Sequence, residues 1–273
     1  MSCSARRGEL ALFHLTRKER MNFENKKVVI TGASPDFGQT LSILFAQMGA
    51  ELFLSARTLE KVNATAKLVR EVVPGVKIST FQVNVSNPAE IEKFAHDVRE
   101  ISDDIDILIN NASYWLEGHL TDVDDEDIVE TINSTATGSV LMTKHFLPLL
   151  KNSKSPDIIF VNSTASLNNN IHSIASEAFS AAKSAQSTFA DRLRQRMKGQ
   201  GVRVISVYPP NFDNPSPLDD VQWNERRSHT QLRYLSARNV FECIKFALSQ
   251  DRVCSIDKIV LSNNNPAETE VID

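Results

Sequence analysis

Apolar residues recur along this chain in two alternating patterns, short β-branched runs and longer stretches with helical spacing. Residues 28–31 form a short apolar run, and residues 38–48 then place Leu41, Leu44 and Phe45 on one helical face. The alternation continues as far as residue 261. It predicts strands at residues 28–31, 51–55, 77–83, 105–109, 157–161, 202–207 and 256–261.

Capping residues predict where several helices begin. Thr58, Asn87 and Ser236 each stand where a side-chain oxygen can accept a hydrogen bond from the first turn of a helix. Pro88 follows Asn87 at the first helical position, where the missing N–H of proline has no cost. The acidic run at residues 122–127 is interpreted as the first turn of a solvent-exposed helix, in preference to a cation site. Further helices are predicted from there to residue 149 and at residues 177–197.

Crossover-length helices between strands favour a mostly parallel sheet that is covered on both faces. We therefore predict one α/β domain at residues 25–262, with about seven strands. Residues 209–235 are rich in Pro, Asn and Asp, and are expected to form an irregular substrate loop. Residues 1–24 are expected to form a mobile extension and residues 263–273 a flexible tail.

Composition narrows the class of protein. Hydrophobic residues make up 41% and charged residues 23%, as in soluble proteins with a sizeable core. The net charge of −4 gives no basic field for nucleic acid or an anionic membrane. Cys3, Cys243 and Cys254 lack the spacing of a disulfide framework or a metal site. We expect a cytoplasmic protein with no metal, no nucleic-acid partner and no membrane association.

A glycine-containing turn, TGASPDFG at residues 31–38, follows the first predicted strand and opens the first helix. Glycines at such a position permit a tight turn and a close approach of phosphates to helix N–H groups. Arg57 ends the second strand, where an acidic residue would hold a ribose 2′-hydroxyl and an arginine instead suits a 2′-phosphate. The alternative is that Arg57 is an ordinary solvated arginine.

Polar residues follow the later strands and occupy two helices at a spacing that continues this pattern. They are Asn84 with Val85 after the third strand, Asn110, Asn111 and Ala112 after the fourth, Ser163 after the fifth, and Asn133 and Lys183 on helices. With the glycine turn, this set resembles the short-chain dehydrogenase/reductase family over residues 26–262. The family motifs are T-G-x-x-x-G-x-G, N-N-A-G and an Asn-Ser-Tyr-Lys tetrad.

The resemblance implies a Rossmann-type doubly wound fold and an oxidoreductase that moves a hydride between a nicotinamide and a carbonyl or alcohol carbon. In that family the tetrad tyrosine exchanges the proton, the serine orients the oxygen, the lysine binds ribose and tunes the tyrosine, and the asparagine anchors a water relay. The tetrad positions here are Asn133, Ser163, Phe179 and Lys183.

Phe179 is the main departure from that pattern. A tyrosine four residues before Lys183 would lie one turn away on the same helical face, where the ammonium could lower the phenol pKa. Phenylalanine keeps the ring and lacks the hydroxyl. Tyr114 is the first candidate for a substitute acid, because its loop borders the expected pocket; weaker candidates are Tyr208, His172 and Glu177.

Asp36 is the second departure, since it occupies the position of the middle glycine. Its carboxylate would repel a pyrophosphate and weaken binding, although aspartate tolerates left-handed backbone better than most residues. Ser113 and Pro210 also replace family glycines. By resemblance, NADP(H) is favoured over NAD(H), and the cofactor residues are Gly32, Ser34, Asp36, Phe37, Gly38, Arg57, Asn84, Val85, Asn110, Ala112, Lys183 and Pro209.

Three hypotheses follow. The chain is an NADP(H)-dependent reductase or alcohol dehydrogenase for a small organic substrate, with impaired or non-standard proton donation. Alternatively, it is a catalytically silent nucleotide-binding sensor or partner subunit, or a structural subunit that binds no cofactor. The resemblance also implies a homodimer or homotetramer, formed through the helices at residues 133–149 and 177–197.

Overall fold

The structure is a computed structural model that describes residues 23–167, 173–225 and 235–263. Most of the expected N-terminal extension and C-terminal tail lies outside these residues. So do His172 and residues 226–234 of the expected substrate loop.

Strands and helices alternate as the apolar pattern predicts. The strands are β1 (Lys27–Thr31), β2 (Glu51–Ala56), β3 (Ile78–Gln82), β4 (Ile107–Asn110), β5 (Asp157–Val161), β6 (Arg203–Tyr208), β7 (Phe212–Asp213), β8 (Leu235–Ser236) and β9 (Lys258–Val260). The α-helices are α1 (Phe37–Gln47), α2 (Leu59–Val72), α3 (Pro88–Arg99), α4 (Asp125–Ile132), α5 (Gly138–Asn152), α6 (Glu177–Met197), α7 (Asp220–Asn224) and α8 (Ala237–Leu248).

Seven strands form one parallel sheet in the order β3-β2-β1-β4-β5-β6-β9, which confirms the predicted α/β class. The chain passes from β1 outward to β3, and then returns to place β4 on the other side of β1. The loops after β1 and β4 therefore diverge and open a crevice at the carboxyl edge of the sheet, which is the usual ligand position in such sheets.

The sheet is packed on both faces, as predicted. On one face, Phe45 of α1 meets Phe241 of α8 with ring centroids 5.9 Å apart. On the other face, Phe94 of α3 meets Phe146 of α5 at 5.0 Å. Buried residues of the central strands alternate between these two clusters, so the strands carry apolar side chains on both sides.

The predicted helix starts are confirmed at Thr58, Asn87 and Ser236, which are the N-cap residues of α2, α3 and α8. Asn87 accepts a hydrogen bond from the N–H of Ala89 at 3.1 Å. The acidic run also has its expected place, because Asp125 begins α4 and the first turn is acidic.

The region predicted as one helix up to residue 149 is interrupted by a π-helical segment, Asn133–Thr137. Apolar spacing does not separate a single wide turn from an α-helix, so this feature was not predictable. Gly138 follows the segment, and a Cβ there would lie 2.6 Å from the carbonyl oxygen of Val85. The expected irregular loop also contains two ordered pieces, since β7 pairs with β8 and α7 follows β7.

A buried ion pair at the amino-terminal edge of the sheet joins β5 and β6 to the end of α8. The Arg203 guanidinium donates to both carboxylate oxygens of Asp157 at 2.8 and 3.0 Å, and to the carbonyl of Leu248 at 3.0 Å. Arg252 donates to the same carboxylate at 2.7 Å.

Across the described residues, no helix is long and apolar enough to cross a membrane, and no group of three acidic, His or Cys side chains could hold a metal ion.

Candidate active site

The loops at the carboxyl edge of the sheet enclose a cavity of about 300 Å³. The sequence-predicted residues that line it are Gly32, Ser34, Asp36, Phe37, Gly38, Arg57, Val85, Ala112, Tyr114, Ser163, Phe179, Lys183 and Pro209. The structure thus brings the glycine turn and most of the expected tetrad to one continuous cavity.

The glycine turn needs its two glycines for close packing. Gly32 has φ +66°, and a Cβ on it would lie 3.0 Å from the Cα of Ala112. A Cβ on Gly38 would lie 2.0 Å from the carbonyl oxygen of Gly32, so only glycine fits there. The start of α1 therefore packs directly on the turn, with its N-terminus facing the cavity.

Thr31 and Asn111 join this turn to the loop after β4. The Thr31 hydroxyl accepts hydrogen bonds from the backbone N–H groups of Asn111 and Ala112, both at 3.0 Å. The Asn111 amide donates to the carbonyls of Thr31 and Gly32 at 3.0 and 3.3 Å. The two loops are thus held together below the cavity.

Asp36 has a backbone conformation that ordinarily requires glycine, with φ 151° and ψ −156°. This conformation is not the left-handed helical one that aspartate tolerates, so the expected tolerance does not apply and the residue is strained. Its carboxylate is exposed and accepts a hydrogen bond from the Asn214 amide at 3.2 Å. Asn214 in turn accepts one from the Thr40 hydroxyl at 2.9 Å.

Arg57 lies at the cavity wall after β2 with its side chain 58% exposed. Its guanidinium stands over the ring of Tyr114, 5.7 Å from the centroid, and Nη1 is 3.8 Å from Glu130 Oε1. The Glu130 carboxylate also accepts a hydrogen bond from Ser86 at 2.9 Å. Arg57 is therefore a cation at the cavity with a loose partner, able to turn toward a phosphate.

Tyr114 lines the cavity, but its hydroxyl is engaged away from it. The hydroxyl donates to Asp127 Oδ1 at 2.9 Å, and this hydrogen bond raises the Tyr114 pKa above its ordinary value. A phenol of raised pKa is a weak acid near neutral pH. The contact therefore argues against Tyr114 as a substitute proton donor. The other tyrosine considered, Tyr208, is buried and bonded to Ser187 at 2.8 Å.

Helix α6 carries Phe179 and Lys183 into the cavity wall. The Phe179 ring is 4% exposed and meets Trp115 edge to face, with centroids 4.7 Å apart. Lys183 Nζ lies 5.6 Å from the Phe179 centroid and donates to the Val161 carbonyl at 2.8 Å. Burial lowers the Lys183 pKa to about 7, because the charged form loses its hydration.

Ser163 and Asn162 follow β5 beside this lysine-bearing helix. The Ser163 hydroxyl accepts from the Ala165 N–H at 3.1 Å and can donate its own proton as well. Asn162 lines the cavity, is 3% exposed, and its side-chain nitrogen has no partner among the described residues. Sequence reasoning missed Asn162; the one available signal was its position between β5 and Ser163.

Three predicted residues lie outside the cavity lining. Asn133 is half-buried in the π-helical segment, and the next residue, Ser134, faces the cavity and accepts a hydrogen bond from the Tyr114 N–H at 3.1 Å. Asn84 bonds to the backbone N–H of Ser86 at 3.0 Å. Asn110 is buried below the cavity, 3.5 Å from the Thr143 hydroxyl.

These features fit an adenine dinucleotide with one opposing group. The glycine cradle and helix N-terminus suit a pyrophosphate, and Arg57 suits a further phosphate. Asp36 opposes them because it lines the cavity beside the glycine turn, where its negative charge would repel a pyrophosphate. The arrangement can bind a dinucleotide at one end and a polar group, such as a carbonyl, between Ser163 and Lys183.

Comparison with known proteins gives consistent matches. A family model described as short chain dehydrogenase matches residues 26–225. An uncharacterized oxidoreductase of Staphylococcus saprophyticus is 25% identical over 241 residues, covering 88% of this chain and 98% of that protein.

Two solved structures have the same fold at low identity. An alcohol dehydrogenase from the archaeon Thermococcus sibiricus, complexed with 5-hydroxy-NADP, is 21% identical with TM-score 0.74, covering 88% of this chain and 97% of that one. The L-sorbose reductase from Gluconobacter frateurii, complexed with NADPH and L-sorbose, is 19% identical with TM-score 0.74, covering 88% and 96%.

Proposed function

This chain belongs to the short-chain dehydrogenase family, and on that premise we propose that it is an NADP(H)-dependent oxidoreductase of a small organic molecule. The reaction is the reduction of a carbonyl group or the oxidation of an alcohol. One observation supports this most strongly: a single cavity joins the glycine turn to Ser163 and Lys183.

The preference for NADP(H) over NAD(H) rests on Arg57. An arginine after β2 offers planar, bidentate hydrogen bonding to a 2′-phosphate. Its present partner, Glu130, is 3.8 Å away, which is a weak surface contact that a phosphate can replace. The 5-hydroxy-NADP and NADPH complexes of the two structural relatives support the same cofactor class.

The residues that would hold the cofactor are Gly32 and Gly38 at the pyrophosphate, Arg57 at the 2′-phosphate, and Lys183 at the nicotinamide ribose. The bound nicotinamide supplies or accepts the hydride. Ser163 donates a hydrogen bond to the carbonyl oxygen and orients it, while the Phe179 and Trp115 rings form an apolar wall of the cavity. As family members commonly do, the chain is expected to form a homodimer or homotetramer.

A second candidate is a catalytically silent nucleotide-binding sensor or partner subunit. Phe179 favours it, because loss of the general acid costs about 10²–10⁴ in rate. The two candidates share the cofactor and differ in whether a hydride reaches a substrate.

Deuteride transfer distinguishes them. The protein is incubated with [4,4-²H₂]NADPH and a panel of aldehydes and ketones, and the alcohols are analysed by mass spectrometry. We expect one deuterium on the carbinol carbon of at least one product, and a much smaller yield from Ser163→Ala. Tight NADPH binding with no deuterated alcohol from either the wild type or Phe179→Tyr would contradict the enzyme and support the sensor.

A further inference from the structure

Lys183 is a buried cation without an anionic partner. Its side chain is 4% exposed, and its ammonium makes one hydrogen bond, to the Val161 carbonyl at 2.8 Å, among the described residues. No carboxylate in the described part of the chain forms an ion pair with it. An ammonium has three protons, so two remain for groups inside the cavity that Lys183 lines.

Charged and titratable groups on the surrounding elements are engaged elsewhere. From α4, Asp127 accepts from Tyr114, and Glu130 accepts from Ser86. From β6, Tyr208 bonds to Ser187 and Arg203 pairs with Asp157. On α6 itself, Glu177 is exposed in the first turn, while Asp191 pairs with Arg194. Burial alone therefore governs the ionisation of Lys183 and lowers its pKa to about 7.

Proton donors at this end of the cavity are few. Phe179 has no hydroxyl, the Tyr114 hydroxyl is engaged with Asp127, and Ser163 has no ionisation near neutral pH. Lys183 lines the same cavity as Ser163 and lies 5.6 Å from the centre of the ring at the tyrosine position.

We propose that the Lys183 ammonium itself donates the proton to the substrate oxygen, in place of the hydroxyl that Phe179 lacks. This inference rests on the proposed oxidoreductase function. It gives the lysine a direct acid role, beyond the holding of ribose.

The step balances with the dihydronicotinamide as reductant, which supplies the hydride and is oxidised. The carbonyl carbon forms a C–H bond, and the C=O π pair moves to oxygen. An N–H bond of Lys183 breaks as the oxygen forms its O–H bond, which leaves a neutral amine. Solvent then reprotonates the amine. In alcohol oxidation the neutral amine is the base, so a group that titrates near neutral pH serves both directions.

The first test measures the amine without cofactor or substrate. In protein labelled with ¹⁵N-lysine, NMR follows the side-chain nitrogen of Lys183 with pH, and Lys183→Met assigns the signal. We expect a midpoint near 7, against about 10.4 for an ordinary lysine. A nitrogen that stays an ammonium above about pH 9 would overturn the inference.

The second test uses turnover. In the wild type, kcat/KM for carbonyl reduction should fall about tenfold per pH unit above the midpoint. Lys183→Arg keeps the cation but cannot release a proton, so kcat should fall about 10²–10⁴-fold while the NADPH Kd changes much less. Adding Phe179→Tyr to Lys183→Arg should restore much of the lost kcat, because a phenol then stands beside a cation.

The outcomes separate this inference from the proposed function. A wild type that reduces a carbonyl with a flat pH profile, and a Lys183→Arg variant that keeps its kcat, would overturn the lysine as donor and leave the oxidoreductase standing. Failure of the wild type and Phe179→Tyr alike to transfer deuteride would overturn the proposed function and the inference with it.

Discussion

Replacing Asp36 with glycine should strengthen cofactor binding and change the stability of the fold little. Asp36 has φ 151° and ψ −156°, a conformation that costs a residue with a Cβ about 1–3 kcal/mol. Glycine relieves this strain, but it costs about 0.4–1 kcal/mol in unfolded-chain entropy. The lost hydrogen bond to Asn214, an exposed contact at 3.2 Å, costs about 0.5–1 kcal/mol. These ranges combine to a net change between a loss of about 1 kcal/mol and a gain of about 2 kcal/mol in the free energy of unfolding, centred on a gain of about 0.5 kcal/mol.

The effect on binding is larger, because the carboxylate is removed from the phosphate end of the cavity. Two unit charges about 4 Å apart repel by about 1 kcal/mol in water and about 4 kcal/mol at an effective dielectric constant of 20. Asp36→Gly should therefore lower the NADPH Kd about fivefold or more.

Asp36→Asn is the matched control, since it removes the charge and keeps the Cβ. Calorimetric titration with NADPH should show tighter binding for both variants, whereas urea unfolding should show added stability for the glycine variant alone. An unchanged Kd in both variants would refute the placement of the carboxylate against the phosphates. A glycine variant destabilised by more than about 1 kcal/mol would refute the strain.

Three further predictions concern other parts of the molecule. Because the Lys183 pKa is about 7 folded and about 10.4 unfolded, the unfolded chain binds more protons between these values, and wild-type stability should rise there by up to about 1.4 kcal/mol per pH unit. Lys183→Met should abolish that rise, which urea unfolding at pH 7 and 9 measures. An equal change in the free energy of unfolding between these pH values in both proteins would contradict the lowered pKa. Arg57→Ala should raise the Kd for NADPH about tenfold and change the Kd for NADH little. Arg99→Ala, an exposed control on α3, should change neither Kd. Asp157→Ala leaves the buried Arg203 guanidinium without its carboxylate partner and should lower the free energy of unfolding in urea by about 3–5 kcal/mol. A loss under about 1 kcal/mol would contradict this.

The parts of the fold that local chemistry determines could be predicted from the sequence. Strand β5 and helix α6 have their predicted bounds, since a short apolar run and a long stretch of small, helix-forming residues each indicate one element. The glycine turn was also predictable, since Gly38 stands where any Cβ meets the backbone of Gly32. The order of strands was not predicted, because the preference for right-handed crossovers limits the possible orders without selecting one.

The details of the site depend on contacts between distant residues, and the sequence does not show these. Tyr114 has a hydroxyl that could act as an acid, but this hydroxyl donates its hydrogen bond to Asp127. Asn133 lies in the π-helical segment outside the cavity lining, whereas its neighbour Ser134 lines the cavity. The lowered pKa of Lys183 results from burial, which depends on the packing of the elements around α6.

The proposed function requires that the cavity bind a nicotinamide dinucleotide, with a preference for the 2′-phosphate. Calorimetric titration of the wild-type protein with NADPH and with NADH tests it most directly. We expect saturable binding of both, with the lower Kd for NADPH. The absence of binding of either nucleotide at about 1 mM would contradict it.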